Sequence, residues 1–242
     1  MYIVNKIVSS MNGQPMSLSK KEQEIQRITN SITKAVSEQR LPPGTRLVEA
    51  QLVASLGANR NHVRAALQRL ALRHIVSIET NKGASIAQPS VEEARNIFMA
   101  RSILERGIIE ILVKRLRRSD VTLLQKQIQQ EQKAVEKGRR EDIIRESGEF
   151  HLLLARLSGN PVLLDMLRDL ITRSSLIISL YQKHNNPQCG CDEHGDIISA
   201  LETQDAEKTL QCMSHHLHDI EYGLNLDFWE NRKVDLGTVF EE

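Results

Sequence analysis

The sequence predicts a mainly α protein: a small N-terminal helical module closed by a β-hairpin, then an all-α antiparallel helical bundle. Three observations carry this. Aromatic residues make up only 3 % of the 242 residues, while Leu, Ile, Ala, Glu, Gln and Arg, residues at ease in helices, dominate. Apolar residues recur at three- and four-residue steps through most of the chain. Glycine and proline are sparse after residue 90 and fall at the breaks between periodic segments.

Taken in order, residues 1–18 lack a basic start followed by a long apolar stretch, so they read as a flexible arm rather than a signal peptide. SKKE, Ser19 to Glu22, has capping-box spacing and opens a helix whose inner face is Ile25, Ile28, Ile32, Ala35 and Val36. Pro42, Pro43 and Gly44 enforce a turn. A short helix follows from about Val48 to Leu56, closed by Gly57, and a second helix begins near Asn59. Helix, glycine turn, helix is a helix-turn-helix arrangement. IVSIETNKGASIAQ then supplies two short strands around a TNKG turn, which makes a wing.

The second of those helices is polar at its start and apolar behind. Free backbone N–H groups and the helix dipole at that start favour phosphate. Arg60 and Arg64 share one face, being four residues apart, beside Asn59, Asn61 and His62. An arginine fork matches a guanine edge or a phosphate. Val63, Ala66, Leu67 and Leu70 anchor the helix from behind. Lys82 and Gly83 at the wing tip can reach the minor groove or a phosphate. The charge agrees: residues 19–89 hold 11 Lys or Arg against 5 Glu, whereas residues 90–242 hold 20 basic against 26 acidic residues. A basic module that meets a polyanion is joined to an acidic one that does not.

This order of features resembles the winged helix-turn-helix of the GntR family of bacterial regulators over about residues 20–88. Pro43, Gly44, Leu47, Glu49, Leu52, Leu56, Gly57, Arg60, Val63, Arg64, Ala66, Leu67, Leu70 and Gly83 match the family pattern. Asn59 stands where Ser or Thr is usual, His62 replaces Pro, Ala65 replaces Glu, and His74 replaces Gly. Asn59 remains a good N-cap. Asn61 and His62 read as altered sequence preference.

From residue 90 to about 230 the chain reads as five or six antiparallel helices, with 231–242 as a tail. SVEE, Ser90 to Glu93, is a second capping box and starts a helix through about Arg118. Further helices are predicted at about 120–137, 141–158, 160–183, 192–203 and 205–228. Breaks fall at Gly138, at the SGNP turn, at the NNPQCGC loop and at TQD. Helical periodicity sorts the histidines. His151 lies at the edge of the stripe made by Ile143, Phe150, Leu154 and Leu157. His194 falls near the middle of Ile197, Ile198 and Leu201, and His216 flanks the stripe of the last helix. His215 and His218 face away. Three inward imidazoles from three helices point to a metal or anion pocket in the bundle core.

The resemblance extends here to the all-helical FCD ligand-binding domain of the FadR subgroup. Arg101, Leu104 and Glu105, Phe150 and His151, SGNPVL, Glu193 and His194, Asp205, and Met213, His216 and Leu217 carry it. In metal-binding members an Asp and three His hold a divalent ion, which assigns His151, His194 and His216 to that role. The Asp position, four before His151, is Ser147 here. The resemblance therefore implies three His plus water or an effector oxygen. Imidazoles favour Zn, Ni, Cu or Fe over Mg or Ca, with Zn or Ni foremost. Arg101 with Ser147 is the candidate grip for an effector carboxylate, the alternative being a surface Arg101 paired with Glu105. CGCDEH could be a zinc knuckle with His184 or a redox-sensitive pair, but its Cys spacing favours a plain loop.

The whole reads as a ligand-responsive, cytoplasmic transcription regulator, acting as a repressor. It would bind an inverted-repeat operator as a homodimer and sense a small carboxylate. No run of about 18 apolar residues is present, so no membrane partner is expected. Three cysteines, Cys189, Cys191 and Cys212, suit a reducing compartment. A metal-dependent enzyme on the histidine pocket is the rival; no acid, base or nucleophile motif accompanies the histidines, so no catalytic activity is expected. Sequence-indifferent DNA binding is a third reading, opposed by the concentration of polar side chains at one helix start.

Overall fold

The computed structural model describes residues 19–182, 190–225 and 234–240. The N-terminal module begins with α1, Lys20–Ser37, where the Ser19 hydroxyl accepts from the Glu22 amide at 3.2 Å. A two-residue strand, β1 (Arg46–Leu47), precedes α2, Glu49–Leu56. Gly57 closes α2 in the left-handed region, φ 57°, which glycine enters without strain. The recognition-type helix α3, Arg60–Leu72, opens on Asn59, whose side chain accepts from the Asn61 amide at 2.8 Å. Strands β2 (Val76–Glu79) and β3 (Gly83–Ile86) form the wing hairpin. The strand β1, which the sequence had not shown, completes an antiparallel sheet of order β1-β3-β2. Two residues are too few to show period-two alternation.

His74 sits at φ 56°, in the left-handed conformation that glycine takes at little cost. This explains why the family pattern has glycine there. The backbone geometry was kept while the residue changed, and the His74 imidazole faces Asp169 of the bundle at 3.1 Å.

The bundle consists of α4 (Val91–Val113), α5 (Arg118–Lys137), α6 (Arg140–Leu157), α7 (Pro161–Tyr181), α8 (Cys191–Glu202) and α9 (Ala206–Tyr222). The expected cap at Ser90 accepts from the Glu93 amide, and at two of the expected breaks Asn160 accepts from Val162 and Leu163, with Pro161 at the first helical position, and Asp205 from Lys208. Two ends differ from expectation. Helix α4 stops at Val113, short of Arg118, where a new start forms with Asp120 accepting from the Arg117 amide. Helix α9 stops at Tyr222, beyond which Asn225 donates to the Tyr181 carbonyl at 2.8 Å. The region expected as a tail carries a helical turn, α10 (Leu236–Val239), whose Leu236 and Val239 are buried in the same apolar cluster as the N-terminal module.

The two modules share that cluster. Leu176, Ile177, Leu180 and Tyr181 of α7 join Ile28, Ile32 and Val36 of α1 and the core of α3. Gln39 donates to the carbonyls of Ser179 and Gln182, and Tyr181 donates to the Pro89 carbonyl at 3.0 Å. A second cluster, centred on Phe150, Ile109, Leu112, Ile197 and Leu201, fills the bundle and frames the histidines.

Candidate metal and effector site and nucleic-acid interface

His151 from α6, His194 from α8 and His216 from α9 are all buried, and their ligand atoms lie within 4.8 Å of one another. The Nε2 of His216 is 3.0 Å from that of His194 and 3.2 Å from that of His151. Each ring is held from behind by its own carboxylate. Nδ1 of His151 meets Glu105 of α4 at 2.5 Å, Nδ1 of His194 meets Glu131 of α5 at 2.8 Å, and Nδ1 of His216 meets Glu193 of α8 at 2.5 Å. A carboxylate at Nδ1 fixes the tautomer with its lone pair on Nε2 and raises the basicity of that nitrogen. Phe150 stacks on His194 at 3.9 Å and locks its plane.

The electrostatics suit a cation. Burial pushes His151 down to about 4 and His194 well below its ordinary value, so both are neutral and available at neutral pH. Burial raises Glu105, but His151 and Arg101 outweigh it and hold the carboxyl at about 2. The hydrogen bond with His216 lowers Glu193. Two ionised carboxylates thus stand behind two of the rings. Burial, with Glu146 nearby, pushes Glu131 up to about 8, so the support behind His194 carries less negative charge than the other two. Three oriented, buried imidazoles form a donor set that can hold a divalent ion.

Of these residues the sequence reading had picked the three histidines; the carboxylates were absent from its site. Glu105 and Glu193 stood in matched motifs without a role. Glu131 sits on the apolar stripe of α5 with Leu124 and Ile128, a signal for burial, but its partner His194 lies 63 positions away. Gly190 was missed too: a Cβ there would sit 2.6 Å from Cε1 of His216, so the ring needs the glycine.

Beside the triad lies a cavity of about 60 Å³ bordered by Arg101, Arg140, Ser147, His151, Glu193 and His216, among others. Arg101 is 2 % exposed. It pairs with Glu105 at 2.9 Å and with the Ser174 hydroxyl at 3.1 Å, and its Nη2 has no hydrogen-bond partner. The pairing with Glu105 is present, but the surface location of the alternative reading is not. Arg140 also lines the cavity with an unpartnered Nε. Two buried guanidinium N–H groups without acceptors would each cost free energy unless a ligand or water satisfied them. Ser147 is half-buried on the same wall as His151, one turn before it. Of the CGCDEH stretch, Cys191 opens α8, while Cys189 and His184 lie outside the described residues. His215 is exposed beside Asp219.

At the other end of the molecule, Asn59, Arg60, Asn61 and Arg64 are exposed around the start of α3. The Arg64 guanidinium holds Glu49 of α2 through two contacts at 2.8 and 2.9 Å, which raises its pKa. His62 is half-buried and its Nδ1 is shielded. Lys82 and Gly83 are exposed on the wing, with Lys82 2.7 Å from Glu79.

A winged helix-turn-helix joined to a helical bundle with a polar internal pocket defines a ligand-responsive DNA-binding transcription regulator. Residues 24–86 match the bacterial regulatory proteins of the gntR family, and residues 96–219 match the FCD domain. The chain belongs to the GntR family of regulators and carries an FCD domain. It is 27 % identical over 198 residues to the HTH-type transcriptional regulator YdhC of Bacillus subtilis (strain 168), covering 80 % of this chain and 88 % of that one. It is 24 % identical over 181 residues to the HTH-type transcriptional repressor RspR of Escherichia coli (strain K12), covering 74 % and 79 %. Among solved structures, E. coli McbR/YncC superposes with a TM-score of 0.63 at 24 % identity, over 85 % of this chain and 98 % of that one. These relatives are transcription regulators, and no described helix is long and apolar enough to cross a membrane.

Proposed function

We propose that this protein is a metal-dependent sensor of a small carboxylate that acts as a homodimeric, cytoplasmic repressor at an inverted-repeat operator. The observation that carries the sensing half is the convergence of three Nε2 atoms whose Nδ1 atoms are each held by a separate glutamate. His151, His194 and His216 hold a Zn or Ni ion, with Ser147 in place of a fourth protein carboxylate. An ion held there would supply Lewis acidity toward the carboxylate. Arg101 Nη2 donates to a carboxylate oxygen, and Arg140 adds charge. A cavity of this size takes roughly four or five water-sized groups, which fits a short carboxylate.

The DNA half rests on α3. Asn59, Arg60, Asn61, His62 and Arg64 present the polar start of the helix to the major groove, and Lys82 and Gly83 bring the wing to the backbone. The Arg64–Glu49 pair orients the guanidinium and holds α2 to α3 before DNA arrives. One such helix reads few base pairs, so two copies are required for a specific site. Met99 and Ile103 of α4, with Val162 and Met166 of α7, are exposed apolar residues on two helices that pack together, and they form the face for a second copy.

Against an enzyme stands the engagement of the pocket's carboxylates: Glu105, Glu131 and Glu193 each hold an imidazole and are not placed as free acid or base. The test is a selection of bound duplexes from random-sequence DNA, run with and without added zinc. Enrichment of a short inverted repeat supports the proposal. No enriched site in either condition overturns it.

A further inference from the structure

The cavity beside the triad shares a wall with another. A second, larger cavity of about 440 Å³ lies between α1 of the DNA-binding module and the α6/α7 pair of the bundle. The two share Ile144, Gly148, Ile171 and Ser175 as a common wall. At Gly148 the wall lacks an α6 side chain, while Ile144 of the same helix stands one turn before it. A Cβ at Gly148 would lie 3.0 Å from Cγ2 of Ile171 and 3.8 Å from the Ser175 hydroxyl, so beside Gly148 the partition is made by the Ile171 and Ser175 side chains. The compartments differ in kind. The first holds the unpartnered guanidinium nitrogens and the imidazoles. The second exposes mostly apolar surface, from Val36, Leu152 and Leu176 among others, with the charged Arg73, Glu141, Arg145, Glu149 and Arg168 and the hydroxyls of Thr33 and Thr172 also on its wall.

We infer that the two cavities are one ligand site, with a polar compartment for a carboxylate head and an apolar compartment for the hydrocarbon body of the same molecule. The inference rests on the carboxylate reading of the first cavity and narrows the ligand class to amphipathic monocarboxylic acids. The head compartment alone has room for only a few non-hydrogen atoms. A longer acid displaces the Ile171 side chain by a rotamer change and lays its chain against α1. Such a ligand touches both modules at once. It therefore binds the two arrangements of the DNA-binding module unequally, which is what a change in operator affinity requires. A short acid confined to the first compartment touches only the bundle.

Calorimetric titration of the full chain, with added zinc, against straight-chain monocarboxylates of two to eight carbons tests this. Burial of each methylene is expected to tighten binding about fourfold once the chain passes Ile171. Thr172→Trp and Thr33→Trp add bulk to the second compartment at residues that do not line the first. Both are expected to flatten the series while acetate binds as in wild type, and thermal melts establish that each variant is folded. Acetate binding with no gain from added length, or an unchanged gain in both tryptophan variants, overturns the two-compartment site and leaves the carboxylate reading intact. No binding by any acid overturns the carboxylate reading and this inference with it.

Discussion

Arg60 stands in solvent at the start of α3, whereas His194 is sealed beneath Phe150 at the centre of the bundle. Both belong to surfaces built to receive another molecule, yet the physics differs. The start of α3 is pre-organised by local means: an N-cap, a glycine turn and the Arg64–Glu49 pair from the preceding helix. Its charges remain hydrated, so its construction costs little and its attraction for DNA weakens as salt rises. The histidine pocket is assembled from five helices, and every imidazole in it is desolvated and paired. Removing a group there leaves a buried partner stranded, whereas removing a group from α3 leaves hydrated surface.

That contrast ranks the consequences of mutation. His194→Ala takes away a ligand, the stacking partner of Phe150 and the partner of Glu131. Metal affinity is expected to fall by more than the roughly 10- to 100-fold of an outer-shell loss, and stability to fall by about 2–4 kcal/mol. Metal analysis after dialysis and chemical denaturation measure the two. Full metal retention would remove the pocket from the account. Glu131→Ala keeps the ligand and removes its support, so metal affinity is expected to drop by about 10- to 100-fold. An unchanged affinity would mean that the carboxylate does not orient His194.

Gly190→Ala tests the same pocket from its rim. The new methyl meets the His216 ring, so metal affinity falls while the DNA-binding module stays folded; circular dichroism with a metal titration separates the two. Arg60→Ala is expected to weaken operator binding about tenfold or more with almost no change in melting temperature. A large loss of stability would break the comparison, because it would mean that the start of α3 has a structural role. The smallest effect is expected of Lys82→Ala: a modest, sequence-independent loss, with the slope of log affinity against log salt reduced by about 1.

The same contrast governs what the sequence disclosed. Elements with local determinants were legible. The caps at Ser19, Asn59 and Ser90 and the left-handed Gly57 fall where residue chemistry places them. The three histidines were also legible, because burial in a helix follows a 3.6-residue period and each sits on or beside an apolar stripe. The glutamates behind them were not. Glu131 is a fully buried residue on the apolar stripe of α5, with Leu124, Ile128 and Ala134, so its inward position was open to the same periodicity, but its role was not. Its role exists only once α5 and α8 are side by side. The strand β1 escaped for a similar reason, since two residues become a strand only by pairing with β3. Helix α10 gains its apolar environment from a module some 200 residues away in sequence, as the Arg40–Val239 contact shows.

The central claim is that the buried pocket governs the exposed helix, and operator affinity tests it most directly. Fluorescence anisotropy on a labelled operator, with zinc present, is measured with and without a saturating monocarboxylate, for the wild-type chain and for His194→Ala. The account predicts that the acid shifts operator affinity in the wild type and leaves the variant unmoved. No shift in the wild type with any acid that binds, or the same shift in both proteins, would contradict it.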